Sequence, residues 1–327
     1  QPRAGQVEAI KRIVFRHGDV ILVAWTGYGK TLVFQTVSLI MKEYVTIQIC
    51  PLTRLGQNQH DALIGVPGLR PLLIADETQK SMWCEVAQGK YTHVILGPEQ
   101  ATQDRFYTLF RDSAFNQRLA MVAIDELHMV HQWKEFRTSY PNLYQIRGMI
   151  PNAVPWFGCT ATLSKQAQDF VLDKAGFREE GRHTGQLAFI RATVDRPNIA
   201  YIVSPLDKGY IIAARHYLLA QAIELGMSRD EAVKAIRRYD ADTRPDDKQR
   251  LYDDFAGEQS PCRIMFATVA LGMGMDIRDV RRVVQFGAIA SGDLADLIQR
   301  FGRAARDGKT AAKAYFFVPY WYFKSLG

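Results

Sequence analysis

Long apolar runs, paired cysteines and low-complexity stretches are missing from this sequence of 327 residues. No run approaches the roughly 18 uncharged apolar residues that a membrane-spanning helix needs. The first residues, Gln1-Pro-Arg-Ala4, do not form a charged and then apolar leader. We therefore expect an intracellular protein, in the nucleus if its source is eukaryotic and in the cytoplasm if it is bacterial.

Cysteine is scarce, with only four in the chain and no Cys-x-x-Cys pair among them. A zinc site usually shows such closely spaced ligands, and a disulfide framework shows many cysteines in a short chain. We therefore expect no zinc, and reduced, buried thiols at Cys50, Cys84, Cys159 and Cys262.

The composition is that of a globular protein, with 47% hydrophobic and 23% charged residues. Its length suits two domains of ordinary size. A net charge of +7 fits a polyanionic partner but does not require one. Arginines cluster near the end of the chain, at Arg278, Arg281 and Arg282 and again at Arg300, Arg303 and Arg306. The first cluster fits a solvated surface and nucleic-acid binding equally well.

Apolar runs rich in β-forming residues alternate with helix-patterned segments through the first half of the chain. Because these runs are nearly continuous, we expect strands that are buried on both faces of a mainly parallel sheet wrapped by helices. The predicted strands span residues 19–24, 45–50, 71–75, 92–96, 119–124 and 154–159.

The alternation breaks around Asp195-Arg-Pro-Asn198, and Asp207-Lys-Gly209 has the composition of a linker. We place the domain boundary near residue 205, which gives domains 1–205 and 206–327. Ser228 and Glu231 have the spacing of a capping box that starts a helix. The second half is also α/β, with a helix predicted over residues 210–225 and strands over 263–267, 280–286 and 312–318.

A glycine-rich motif, Ala24-Trp-Thr-Gly-Tyr-Gly-Lys-Thr31, follows the first predicted strand. In such a loop, at Thr26, Gly27 and Gly29, backbone N–H groups cradle phosphates. Lys30 is expected to reach the β and γ oxygens, and the Thr31 hydroxyl to bind magnesium. The alternative is a turn whose lysine only caps a surface.

An acidic motif, Asp125-Glu-Leu-His128, follows another predicted strand. Asp125 can hold the metal through water, and Glu126 can orient and deprotonate the attacking water. Together, the two motifs predict hydrolysis of ATP with Mg²⁺.

The ordered motifs resemble those of the helicase core of superfamily 2, and most of all those of the RecQ family of DNA helicases. Met-Val-His-Gln-Trp-Lys-Glu-Phe-Arg137, directly after His128, is similar to the aromatic-rich loop that distinguishes RecQ proteins. The other segments that carry the resemblance are Arg3-Ala-Gly-Gln6, Cys50-Pro-Leu-Thr53, Gly97-Pro-Glu99, Thr160-Ala-Thr162, Asp195-Arg-Pro-Asn198, Ala267 to Asp276 and Gln299 to Arg306.

The resemblance implies two tandem RecA-like domains with ATP and Mg²⁺ in the cleft between them. It also implies movement from 3′ to 5′ along single-stranded or tailed duplex DNA, a role in DNA repair and recombination, and a monomer. By position, Arg303 and Arg306 resemble the arginines that reach the ATP phosphates. Further residues that the resemblance implies are Arg3, Gln6, Gly274 and Asp276 at the nucleotide, and Thr53, Gln132, Trp133, Phe136, Arg137 and Thr268 at the nucleic acid.

Several positions keep a second interpretation. Gln6 is either a surface amide or an adenine-recognising one. His128 is either a structural histidine or a hydrogen-bonding link between the nucleotide site and the second set of motifs. From spacing alone, Trp133 and Phe136 are core aromatics, whereas the resemblance favours stacking on bases. At the level of function, an RNA helicase of superfamily 2, a translocase without unwinding and a nucleotide-gated scaffold stay as alternatives.

The sequence departs from the family pattern at several places. Trp25 replaces the usual proline, Leu127 replaces the usual alanine, and the aromatic loop is one residue shorter. The strand and motif that head the second domain are missing between about Pro205 and Tyr210, either by deletion or because the sequence joins residues across a gap. No cysteine-rich zinc region or winged helix follows Arg306 in this sequence.

Overall fold

The computed structural model divides into two compact units, Gln1–Asp195 and Arg196–Gly327. It describes residues 1–51, 53–75, 80–133, 139, 142–178, 187–193, 196–206, 214–239, 243–257, 259–267, 277, 279–287 and 294–319. In these ranges no helix is long and apolar enough to cross a membrane.

The first unit contains a seven-stranded sheet with the strand order β3-β4-β2-β5-β6-β1-β7. Neighbouring strands in this sheet are parallel. Its strands are β1 (Asp19–Val23), β2 (Val45–Ile49), β3 (Pro71–Ile74), β4 (His93–Leu96), β5 (Leu119–Ile124), β6 (Trp156–Thr160) and β7 (Leu187–Arg191). Its helices are α1 (Ala4–Arg16), α2 (Thr31–Ile40), α3 (Thr53–Leu63), α4 (Lys80–Ala87), α5 (Pro98–Ala101), α6 (Asp104–Leu109), α7 (Ser113–Gln117), α8 (Met129–Gln132), α9 (Tyr144–Met149) and α10 (Lys165–Lys174).

All six strands predicted in the first half are present, and the predicted α/β class is confirmed. Strands β1, β2, β4, β5 and β6 are buried at every position, as the near-continuous apolar runs require. The edge strand β7 was not predicted, and its burial falls from Leu187 to an exposed Arg191.

One buried carboxylate joins three segments of the first unit. Asp19, at the start of β1, accepts hydrogen bonds from the backbone N–H groups of Trp156 (2.9 Å) and Arg178 (2.8 Å). The guanidinium groups of Arg147 and Arg178 lie 3.5 and 3.4 Å from it. Burial raises the pKa of Asp19, while the two arginines oppose that change. This cluster holds β1 to β6 at the amino end of the strands. The motifs lie at the other end of the sheet.

The second unit contains two small parallel sheets, ordered β11-β12-β8 and β10-β9. Its strands are β8 (Ile199–Leu206), β9 (Ile236–Tyr239), β10 (Ile264–Ala267), β11 (Arg282–Phe286) and β12 (Ala312–Pro319). Its helices are α11 (Ala214–Glu224), α12 (Arg229–Ala235), α13 (Pro245–Ala256) and α14 (Leu294–Phe301). Its core packs α14 and the alanines after it against β8 and β12.

Strands β10, β11 and β12 lie where the sequence predicts them, and so does the capping box of α12. Glu231 N–H donates to Ser228 Oγ at 3.3 Å, and Ser228 N–H donates to the Glu231 carboxylate at 2.9 Å.

The division between the units lies before the boundary placed near residue 205. That position falls inside β8, which pairs with β12 along its whole length and so belongs to the second unit. The segment predicted to lack a strand and motif largely coincides with residues 207–213, which lie outside the described residues.

Candidate functional site

The phosphate motif forms the loop from β1 to α2, at the carboxyl end of the sheet. Its glycine at position 29 has φ +83°, a conformation that other residues adopt only with strain. A Cβ at Gly29 would also lie 2.6 Å from Gln6 Nε2. The glycine therefore lets the loop turn tightly against α1. Thr26 and Gly27 lie in the same loop, and Thr31 is the first residue of α2.

Lys30 lies inside this loop and is only 9% exposed. Its ammonium group donates to the carbonyl oxygens of Ala24 (3.0 Å) and Trp25 (3.3 Å). The cation is thus fixed beside the loop and the start of α2, where N–H groups also favour an anion.

The two predicted nucleotide residues at the start of the chain, Arg3 just before α1 and Gln6 in its first turn, both contact the phosphate loop. Gln6 is buried, and its amide donates to the carbonyls of Tyr28 (3.0 Å) and Gly29 (2.9 Å) while its oxygen accepts from Arg3 N–H (2.7 Å). The guanidinium of Arg3 lies 4.6 Å from the ring centroid of Trp25, a cation–π distance. Trp25, the residue that departs from the family's proline, therefore forms part of this contact.

Asp125 follows β5, two strands from β1 in the sheet. Its carboxylate is 5% exposed and accepts hydrogen bonds from Gln59 Nε2 (2.7 Å), Cys159 Sγ (3.2 Å) and Glu126 N–H (2.9 Å). Glu126 has φ +47°, in the left-handed region, and its N–H bond to Asp125 helps to hold that turn.

Burial and the neighbouring Glu126 raise the pKa of Asp125, whereas Gln59, Cys159 and Lys30 lower it. Burial also raises the pKa of the Cys159 thiol well above its ordinary value, so this thiol keeps its proton and donates. A cation or metal ion beside Asp125 would favour its charged form.

His128 connects the acidic motif to β6. Its Nδ1 lies 2.7 Å from Thr160 Oγ1 and 3.6 Å from the Glu126 carboxylate. Thr160 Oγ1 in turn donates to the carbonyl of Thr162 at 2.9 Å. His128 thus contacts Thr160 of the Thr160-Ala-Thr162 motif within the first unit, and its link to the motifs of the second unit stays a prediction.

The unusual Leu127 is accommodated by a glycine on the neighbouring strand. Leu127 is fully buried, and a Cβ at Gly158 would lie 2.6 Å from its Cδ2 atom. The larger side chain at 127 thus fits because position 158 of β6 has none.

The predicted nucleic-acid residues are described only in part. Thr53 is exposed at the start of α3. Gln132 ends α8, and Trp133 directly follows it and is half-buried. The predicted residues Phe136, Arg137, Thr268, Gly274 and Asp276 lie outside the described residues, as does Arg278.

Arg303 and Arg306 flank two fully buried alanines in the second unit. Arg196 Nη2 donates to the carbonyls of Ala304 (3.1 Å) and Ala305 (2.6 Å), and Asn198 Nδ2 donates to that of Thr310 (3.1 Å). Ala305 has φ +43°, so these hydrogen bonds hold a strained turn between the two arginines. The Arg-Pro-Asn segment thereby positions both of them.

Sequence reasoning missed a group of buried polar residues behind Asp125: Gln59, Gln48, His93 and Ser38. The signal was present, because Gln48 and His93 interrupt apolar strands, where a polar side chain needs a hydrogen-bonding partner.

The motifs that follow β1, β5 and β6 lie at the carboxyl ends of adjacent strands, the usual position of a ligand in such a sheet. A buried lysine, a carboxylate pair and an oriented histidine are suited to nucleotide hydrolysis. Asp125 and Thr31 carry oxygen ligands of the kind that magnesium prefers, and this ion typically takes one or two protein ligands together with phosphates and water. Among the described residues no cluster of three or more His, Cys, Asp or Glu side chains could hold a metal ion.

Comparisons with known families identify the class of this fold and site. A family model described as DEAD/DEAH box helicase matches residues 3–170, and one described as helicase conserved C-terminal domain matches residues 205–308. Fold and site define an ATP-dependent helicase core of superfamily 2, with a mainly parallel RecA-like architecture. The chain belongs to the DEAD/DEAH box helicase family.

The resemblance to RecQ proteins is confirmed by similar curated relatives. The ATP-dependent DNA helicase RecQ of Haemophilus influenzae is 27% identical over 336 residues, which cover 97% of this chain and 51% of that protein. The ATP-dependent helicase wrn-1 of Caenorhabditis elegans is 25% identical over 340 residues, which cover 97% of this chain and 31% of that protein. The chain thus spans a third to a half of the length of these relatives.

Solved structures show the same fold. The helicase MrfA bound to DNA and AMPPNP superposes with a TM-score of 0.70 at 17% identity, covering 97% of this chain and 48% of that one. Dbp5 of S. cerevisiae bound to RNA and ADP BeF3 gives a TM-score of 0.65 at 16% identity, covering 98% of this chain and 84% of that one.

Proposed function

We propose that this chain is the motor of a RecQ-type DNA helicase, which couples ATP hydrolysis to movement from 3′ to 5′ along single-stranded DNA. The similarity to proteins named DNA helicases supports DNA as the substrate. By the same similarity we extend the proposal to DNA repair and recombination.

The observation that carries the proposal is the direct connection from the acidic motif to the aromatic segment. His128 contacts Thr160 beside the hydrolysis site, and α8 then leads within one turn to Gln132 and Trp133. A DNA strand whose bases stack on Trp133 would contact the end of α8, and the start of this helix adjoins the catalytic residues. This arrangement supports hydrolysis that responds to DNA.

In the proposed reaction, Lys30 binds the β and γ phosphate oxygens, and Glu126 orients the attacking water and takes up its proton. Thr31 and Asp125 would hold Mg²⁺, which supplies charge neutralisation at the phosphates. We assign Gln6 and Arg3 to the adenine side of the nucleotide, where Gln6 would exchange its bonds to the Tyr28 and Gly29 carbonyls for bonds to the base. The proposal assigns Arg303 and Arg306 to the γ-phosphate of the same ATP.

Strand separation on a tailed duplex tests the proposal most simply. We expect ATP-dependent separation of a duplex with a 3′ single-stranded tail and little separation with a 5′ tail. Separation of a tailed RNA duplex in preference to DNA would identify an RNA helicase instead. DNA-stimulated hydrolysis without strand separation would identify a translocase that does not unwind.

A further inference from the structure

A continuous chain of buried hydrogen bonds runs from Asp125 through the first unit. Gln59 Nε2 donates to Asp125 Oδ2 at 2.7 Å, and Gln48 Nε2 donates to Gln59 Oε1. His93 Nε2 lies 2.8 Å from Gln48 Oε1, and His93 Nδ1 lies 2.8 Å from Ser38 Oγ. We call these five residues the polar chain. It connects the acidic motif to β2, β4 and the helix that follows the phosphate loop.

The direction of the bonds between Asp125 and His93 follows from the charged end of the polar chain. An ionised Asp125 can only accept, so Gln59 must present its NH₂ group to it and its oxygen to Gln48. Gln48 then donates to Gln59 and accepts from His93 Nε2–H. His93 Nδ1 lies against Ser38 Oγ, whose hydroxyl is also 3.0 Å from the Phe34 carbonyl. Burial lowers the pKa of His93 to about 3, so the ring is neutral and can donate from Nε2. Three donors, on Gln59, Gln48 and His93, therefore point toward the carboxylate.

Gln59 is the member of the polar chain that lies on a helix connected to the predicted DNA surface. Helix α3 begins at the exposed Thr53, and Gln59 lies on its buried face at 8% exposure. The opposite face carries Gln57, which is exposed and donates to Asp61 at 2.7 Å. A helix of this length moves as a rigid element. If a bound DNA strand displaces Thr53, the same displacement reaches Gln59 and, through its hydrogen bond, Asp125.

We propose that Gln59 is a positioning residue that couples binding of a single strand at the start of α3 to the placement of the Asp125 carboxylate. This inference rests on the proposed function, because it requires that the strand bind at Thr53. Coupling of this kind is reciprocal: if the strand strengthens nucleotide binding, the nucleotide strengthens strand binding by the same factor.

The test compares Gln59→Leu with the parent chain and with Gln57→Leu, a matched change on the exposed face of the same helix. The affinity for fluorescent single-stranded DNA is measured by anisotropy with and without Mg²⁺ and a non-hydrolysable ATP analogue. The ratio of the two dissociation constants is the coupling factor. ATP hydrolysis with and without DNA is measured in parallel.

We expect Gln59→Leu to move the coupling factor toward 1 by about 3-fold or more, with unchanged DNA affinity in the absence of nucleotide, and Gln57→Leu to match the parent. A coupling factor in Gln59→Leu equal to that of the parent overturns the inference. So does a loss of hydrolysis by the same factor with and without DNA, since that is the effect of general destabilisation. Gln59→Asn, which keeps a buried amide but is too short to bridge both partners, serves as a second variant with the same expectation.

The parent chain separates this inference from the proposed function. A parent that shows neither DNA-stimulated hydrolysis nor a coupling factor different from 1 overturns the proposed function, and the inference with it. If the coupling factor of the parent differs from 1 and that of Gln59→Leu is the same, only the inference about Gln59 is overturned.

Discussion

The position of Lys30 in the glycine-rich motif is suited to binding a phosphate. Its ammonium group is buried against two loop carbonyls, and a phosphate oxygen is the natural replacement for these partners. The glycine at position 29 and the amide of Gln6 hold the loop that presents it.

Replacing Lys30 with alanine should abolish ATP turnover, because no other described cation occupies the loop. Steady-state phosphate release measures this, and Lys42→Ala, an exposed lysine just after α2, serves as the control. Turnover in Lys30→Ala that matches the parent would refute the assignment of the phosphate site.

Because of His93, the free energy of unfolding of the first unit should decrease as the pH falls. Its pKa is about 3 in the folded state against 6.5 for an ordinary histidine, so between these values the unfolded chain binds a proton that the folded one does not. Stability must therefore decrease as the pH falls through this window, by up to about 1.4 kcal/mol per pH unit.

The check is the free energy of unfolding, measured in urea between about pH 5 and pH 7 for the parent and for His93→Gln. The raised pKa of Asp125 acts in the opposite direction, but both proteins contain Asp125, so comparing the slopes isolates His93. We expect a shallower acid slope in the variant. Parallel profiles would contradict a neutral, buried His93.

Among the elements, α8 lies between His128 of the acidic motif and Trp133, the predicted DNA-stacking residue. The Trp133→Ala variant should retain basal hydrolysis and lose its stimulation by DNA, because the ring offers a stacking surface one turn from His128. The ATPase rate as a function of DNA concentration measures this, with Tyr144→Ala, an exposed aromatic of α9, as the control. Stimulation equal to that of the parent would count against a role for α8.

The elements of the first unit were largely predictable, whereas the polar chain was not. Near-continuous apolar runs predict β1 to β6, since both faces of a parallel sheet are buried. Lys30, Asp125 and Glu126 belong to local motifs that can be recognised in sequence. Gln59 lies on the helix that follows β2, and Asp125 follows β5, so the two meet because β2 and β5 are neighbours in the sheet. This order depends on contacts between distant segments.

At the scale of the whole molecule, we propose that Arg306 of the second unit acts on the nucleotide bound by the first. Arg306→Ala should leave ATP binding intact and lower turnover by ~10³-fold or more, since an arginine of this kind stabilises charge that develops during the reaction. Fluorescent-nucleotide binding and turnover should be compared with those of Arg229→Ala, an exposed arginine of α12 in the same unit. An unchanged turnover would remove Arg306 from the mechanism. The compartment and the monomeric state stay predictions.

We propose above all that this core hydrolyses ATP in response to a single DNA strand. The most direct measurement is the ATPase rate of the parent and of Glu126→Gln, with and without single-stranded DNA. We expect strong stimulation of the parent by DNA and loss of hydrolysis in Glu126→Gln under both conditions. A parent rate that DNA does not change, or hydrolysis that persists in Glu126→Gln, would contradict the account.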